Sequence, residues 1–144
     1  MFASKEPSGI IVAGCGRFGC FLAEQLNIAD ENVSIIDVNC EAFSKCSPDF
    51  TGLMLEGDAS NIEVLRQAGI SHVRAVISAT DNDNINLMIA QIAREIYEVS
   101  TVIAVVDDSK FLSAEDDFDF SILCPAMVMT KEIVNNLKVK EVKK

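Results

Sequence analysis

The chain has 144 residues, with 22 acidic and 12 basic side chains, a formal net charge of −10 and 49% hydrophobic residues. That length suits one domain with a buried core, and the acidic balance opposes nucleic acid and anionic membranes as direct partners. No apolar run approaches the ~18–20 residues of a membrane span, so direct membrane insertion is not expected, and "MFASKEPSG" lacks the make-up of a signal peptide.

Residues 1–8 are expected to form an N-terminal extension and residues 139–144, "VKEVKK", a charged tail. Between them, apolar runs alternate with amphipathic stretches. "GIIVAG" (9–14) is β-branched and bounded by glycine, the pattern of a buried strand. A helix follows over 17–27, with Phe18, Phe21, Leu22 and Leu26 at helical spacing. "NVSIID" (32–37) predicts a second strand, "NCEAFSKC" a short helix closed by Pro48, and "TGLMLEGD" (51–58) a third strand. "DASNIEVLRQAG" predicts a helix that Ser60 can cap and Gly69 ends. "RAVISAT" (74–80) reads as strand four, and 81–99 as the longest helix. "STVIAVVDD" (100–108) reads as strand five, 109–119 as a short helix and turn, "FSILCP" (120–125) as strand six, and 126–138 as a last helix.

Continuously apolar strands separated by helices imply a parallel sheet covered on both faces. The expected class is α/β: a doubly wound, Rossmann-type six-stranded sheet over residues 9–138. Right-handed crossovers make 3-2-1-4-5-6 the expected strand order.

Gly14, Gly16 and Gly19 stand at G-x-G-x-x-G spacing between the first strand and its helix. In that setting the first glycine permits the tight turn. The second admits a pyrophosphate to the backbone, and the third lets the helix pack closely. Exposed amides and the helix dipole then favour an anion, with Arg17 as either a phosphate contact or a solvent-facing cation. An acid is expected about 20 residues on, at the end of strand two, and Asp37 stands there. It can accept the ribose hydroxyls of an adenosine and repels a 2′-phosphate, so NADPH is disfavoured; NAD(H), ATP, ADP and AMP remain open. Cys15, Phe18, Val38 and Ala59 flank these positions and complete the candidate site.

Ligands of open parallel sheets bind at the carboxyl ends of the strands. Asp58 ends strand three and is read as either an adenine-edge contact or a helix cap. Thr80 ends strand four and is read as either a phosphate or ribose contact or a cap. The five cysteines form no C-x-x-C pair, which suggests reduced thiols in a cytosolic protein and no metal centre. Cys15 lies near a helix N-terminus, a place that lowers a thiol pKa, although packing beneath the turn is the plainer role. His72 falls in a loop at the amino end of strand four, the wrong edge for ligand chemistry. "DNDN" (81–84) and "EDDFD" (115–119) lack the ligand pattern of an EF-hand loop and read as solvated charge.

Taken together, "GCGRFG", "IID" ending at Asp37, "EGDAS", "LRQAGI", "VISATDNDNINLMIA" and "CPAMVMTKEIV" resemble the KTN domain. This is the N-terminal nucleotide-binding domain of RCK proteins, which regulate Trk/Ktr-type potassium channels and transporters. The resemblance runs from about residue 9 to 138 and implies a regulatory domain rather than an enzyme. It implies NAD(H) or an adenine nucleotide at Gly14, Gly16, Arg17, Gly19, Asp37, Asp58 and Thr80. It also implies a homodimer or larger ring through helix 126–138, a membrane potassium transporter or channel subunit as partner, and a cytoplasmic, peripheral location. Many relatives carry an arginine in strand five in a stretch like "ARVRD"; "AVVDD" has Val105 at that place, which favours NAD(H) or AMP over a triphosphate. The sequence ends at Lys144 without the C-terminal ligand-sensing domain usual in the family, as for a stand-alone member or an isolated domain. The competing readings are the cofactor-binding domain of an NAD-dependent oxidoreductase and a dimerisation module without nucleotide.

Overall fold

The computed structural model describes residues 6–139; residues 1–5 of the expected extension and 140–144 of the tail lie outside the described residues. The apolar runs become strands: β1 (Gly9–Ala13), β2 (Val33–Asp37), β3 (Leu53–Glu56), β4 (Val73–Ser78), β5 (Thr101–Val105) and β6 (Ser121–Leu123). They pair in parallel in the order β3-β2-β1-β4-β5-β6, as the alternating pattern predicts. The α-helices are α1 (Arg17–Ile28), α2 (Ile62–Gln67), α3 (Asp83–Gln91) and α4 (Pro125–Leu137).

The two-residue period of β1 divides the core. Ile11 and Ala13 face one apolar layer with Ile36, Leu65, Ile89 and Val102. Ile10 and Val12 face the other, with Cys20, Ala23, Ile35 and Ile77. Both faces of the central strand are therefore dry, which is why its sequence shows no polar alternation.

Four local expectations change. In α1 the residues buried are Gly19, Cys20 and Ala23; Leu22 and Leu26 are half-buried, whereas Phe18 and Phe21 are 46% and 60% exposed. The helix lies too close to the turn for a ring there: a Cβ on Gly19 would stand 1.9 Å from the Gly14 carbonyl oxygen. The long helix expected over 81–99 is α-helical only to Gln91 and continues as a wider π turn over Ile92–Ile96. The cap of α2 is Asn61, whose side chain accepts from the Glu63 amide at 2.9 Å, so Ser60 sits before the cap and serves Asp58 instead. Strand three is shorter than expected and ends at Glu56, leaving Gly57 and Asp58 on the ligand edge.

Candidate functional site

The first contributor is the turn between β1 and α1. Gly14 has φ +106°, and a Cβ on it would lie 2.4 Å from the Ala79 carbonyl oxygen. Only glycine meets both conditions. Gly16 is different, because a Cβ there meets nothing within 4 Å. Gly16 is also the N-cap of α1 and makes no side-chain cap bond. The first N–H groups of a 12-residue helix thus open onto empty space, the arrangement that receives an anion.

Asp37 closes the turn from β2. Its Oδ2 accepts the Cys15 amide at 2.7 Å and its Oδ1 accepts the Asn39 amide at 2.9 Å. A carboxylate has about four acceptor positions, so each oxygen keeps one for a further donor. The turn and the acid, read separately from sequence, are one hydrogen-bonded unit.

Around them lies a cleft of about 660 Å³ along the carboxyl edge of the sheet, in the range of ligand sites. Ten of the eleven candidate residues wall it: Gly14, Cys15, Gly16, Arg17 and Phe18 from the turn, Asp37 and Val38 after β2, Asp58 and Ala59 after β3, and Thr80 after β4. Gly19 does not; its task is the close packing of α1. Val105 also lines the cleft, so the position of the expected strand-five arginine presents an apolar surface. Arg17 is exposed at the mouth, and Lys45, from the 3-10 turn Cys40–Lys45, supplies a second cation to the wall. Sequence reading missed Lys45, since only the path of the turn carries it to the cleft.

Asp58 is neither a helix cap nor unengaged. Its Oδ1 accepts the Ser60 hydroxyl at 2.7 Å and the Ser60 amide at 2.9 Å. These bonds hold its carboxyl below the ordinary aspartate value, the hydroxyl contributing most. A depressed carboxyl stabilises the fold above its unfolded pKa, and that contribution fades as pH falls through its folded one.

Thr80 depends on a residue that the motif concealed. Asn86, 1% exposed on α3, accepts at Oδ1 from the Thr80 amide at 2.8 Å and the Thr80 hydroxyl at 2.6 Å. Its Nδ2 donates to the carbonyls of Thr80 at 3.0 Å and Val105 at 2.8 Å. One side chain thereby ties the carboxyl ends of β4 and β5 to α3. The visible signal was an amide among the apolar residues of "INLMIAQI". The Thr80 hydroxyl, which donates to Asn86, also accepts the Asn82 amide at 3.3 Å, and Thr80 lines the cleft.

The acidic clusters are more than solvated charge. Asn82 caps α3 by accepting the Ile85 amide at 3.0 Å, and Asp83 accepts the amides of Asp107 at 2.9 Å and Asp108 at 3.0 Å. In the second cluster Glu115 accepts the Ile122 amide at 2.8 Å and Asp119 pairs with Arg94 at 3.0 Å. Cys15 is buried, and desolvation pushes its thiol up to about 11, overriding the lowering expected near a helix N-terminus. His72 is exposed immediately before β4, at the opposite edge from the cleft.

A profile of the TrkA-N domain matches residues 10–118. The chain belongs to the TrkA-N family. This TrkA-N domain is 33% identical over 101 residues to the Trk system potassium uptake protein TrkA of Streptomyces coelicolor, covering 70% of this chain and 45% of that protein. The chain spans about half the length of the curated relatives it matches. In three dimensions it resembles the TrkA-N domain of the inner membrane protein ybaL from Escherichia coli: TM-score 0.77, 17% identity, 93% of this chain and 99% of that one. It also resembles GsuK crystallised with ADP, at TM-score 0.71 and 26% identity, over 92% of this TrkA-N domain and 34% of that chain. No helix among the described residues is long and apolar enough to cross a membrane.

Proposed function

We propose that this TrkA-N domain is a nucleotide-sensing regulatory unit of a potassium transport system and holds NAD(H) or an adenine nucleotide in its cleft. The observation that carries the reading is the Cys15 amide bonded to Asp37, which sets the phosphate turn and the ribose acid side by side. The diphosphate lies against the amides after Gly16, with Arg17 and Lys45 as cations. The ribose lies against Asp37, and the adenine extends along Val38 and Asp58. Val105 withholds a cation from the distal phosphates, which favours NAD(H) or AMP over ATP; the ADP bound to GsuK keeps the diphosphate within the range. The domain regulates rather than turns over its ligand: Asp37 and Asp58 in the cleft wall are engaged by backbone amides, and His72 lies at the far edge.

Melting the purified chain with NADH, NAD, ATP, ADP and AMP in turn tests this. A ligand at 100 times its dissociation constant raises stability by about 2.7 kcal/mol, and NAD(H) or AMP is expected to act at the lowest concentration. Asp37→Ala removes the preference for an intact ribose. The absence of a shift with every nucleotide would sink the reading.

The same reading places the domain at the membrane through a partner, as a cytoplasmic homodimer or ring built on helix 126–138. None of the residues of α4 is buried, and Val128, Met129, Ile133 and Leu137 are exposed. Of its apolar side chains, Met127 packs against the core. A stripe of this kind on a projecting helix needs a covering surface, and a second copy supplies the matching stripe. Replacing Ile133 and Leu137 together by Asp is expected to weaken self-association by roughly 30-fold or more, read by analytical ultracentrifugation. A chain that is monomeric before substitution, or still dimeric after it, contradicts the assignment.

A further inference from the structure

Three cysteine thiols that the proposed nucleotide site does not use meet beneath the glycine turn. Cys15 belongs to the turn, Cys20 to the start of α1, and Cys46 follows the 3-10 turn Cys40–Lys45. All three are buried free thiols, and their Sγ atoms lie within 4.8 Å of one another. Cys20 Sγ donates to Cys46 Sγ at 2.9 Å, and Cys46 Sγ stands 3.5 Å from Cys15 Sγ. A buried cysteine usually fills space as a small apolar side chain. Here two separate chain segments turn three sulfurs toward one point, which is the form of a donor set.

We propose that Cys15, Cys20 and Cys46 are a three-thiolate site for one soft d10 cation, with Cu(I) as the preferred ion. Thiolates select Cu(I) and Zn(II) over harder ions. Structural zinc almost always takes four donors, whereas only these three sulfurs converge among the described residues. The Glu24 carboxylate stands 3.6 Å from Cys20 Sγ, but it accepts the Ser47 amide and lies outside the converging set. Three sulfurs alone match a trigonal monovalent ion. Metal–sulfur bonds of about 2.3 Å require the sulfurs to spread from their present contacts. Cys46, on a loop and 8% exposed, is the member placed to yield and to admit the ion. Each thiol that ligates gives its proton to solvent as the sulfur–metal bond forms, with no change in oxidation state.

The test uses the full 144-residue chain, reduced and handled without oxygen, offered Cu(I) in the presence of bicinchoninate as competitor. One copper per chain should be retained, with a thiolate-to-copper absorption band in the ultraviolet and a higher melting temperature. X-ray absorption should show sulfur as the sole donor, a readout independent of any variant. Cys46→Ser and Cys20→Ser should each weaken retention by about tenfold or more, while Cys40→Ser and Cys124→Ser leave it unchanged. The site is overturned if no copper is held, if Cys40→Ser removes it, or if nitrogen and oxygen donors dominate the spectrum. Tighter retention of Zn(II) than of Cu(I) overturns the three-coordinate assignment. Each result is independent of nucleotide binding, which the melting series reads separately.

Discussion

Gly16→Val is expected to abolish nucleotide-dependent stabilisation while the domain still folds. The backbone at Gly16 is extended, with φ −76° and ψ −169°, a conformation any residue adopts. A Cβ there meets no protein atom within 4 Å. The fold therefore loses only the difference between glycine and valine at an N-cap, about 1 kcal/mol, or a few degrees of melting temperature. The ligand loses far more, because the branched side chain fills the space where a diphosphate must reach the first amides of α1. The shift of about 2.7 kcal/mol expected at saturating ligand should vanish. The same substitution at Gly14 or Gly19 should instead prevent folding, since their added atoms would lie 2.4 Å or less from backbone oxygens. A Gly16→Val protein that melts normally and still shifts fully with nucleotide would refute the placement of the phosphates.

The second large effect is on stability. Asn86→Ala removes the amide that satisfies the Thr80 amide, the Thr80 carbonyl and the Val105 carbonyl. Buried polar groups left without partners cost about 1–3 kcal/mol each, although water admitted to the gap recovers part of this. A net loss of roughly 3 kcal/mol, or about 10 °C in melting temperature, is expected. Nucleotide binding should weaken as well, because the ends of β4 and β5 carry Thr80 and Val105 into the cleft. Chemical denaturation of the variant beside the parent chain measures the first effect. An unchanged midpoint would show that Asn86 is not the tie between the two strands.

Much of the architecture was legible because it rests on local rules. Each strand announced itself as a short apolar run, and the handedness of crossovers turned six such runs into one order. The glycine turn and Asp37 were legible for a related reason: a tight turn, a close approach and a strand-end acid each demand a particular residue at a particular place. Where the reading erred, packing was the cause. Phe18 and Phe21 have the spacing of core residues, yet α1 approaches the sheet through Gly19, Cys20 and Ala23 because only small side chains fit. Ser60 has the chemistry of a cap, yet the helix starts one residue later and Asn61 takes the role.

The sequence by itself determined the class of fold, the carboxyl edge of the sheet on which the cleft opens, and the pairing of the glycine turn with Asp37. Residue type and spacing along the chain suffice for these. The tertiary structure alone decided that Asn86 secures the strand ends, that Lys45 joins Arg17 at the cleft, that no residue of α4 is buried by the described residues, and that Cys15, Cys20 and Cys46 meet. Those facts join residues far apart in the chain, and no local pattern encodes a meeting that only the closed sheet brings about.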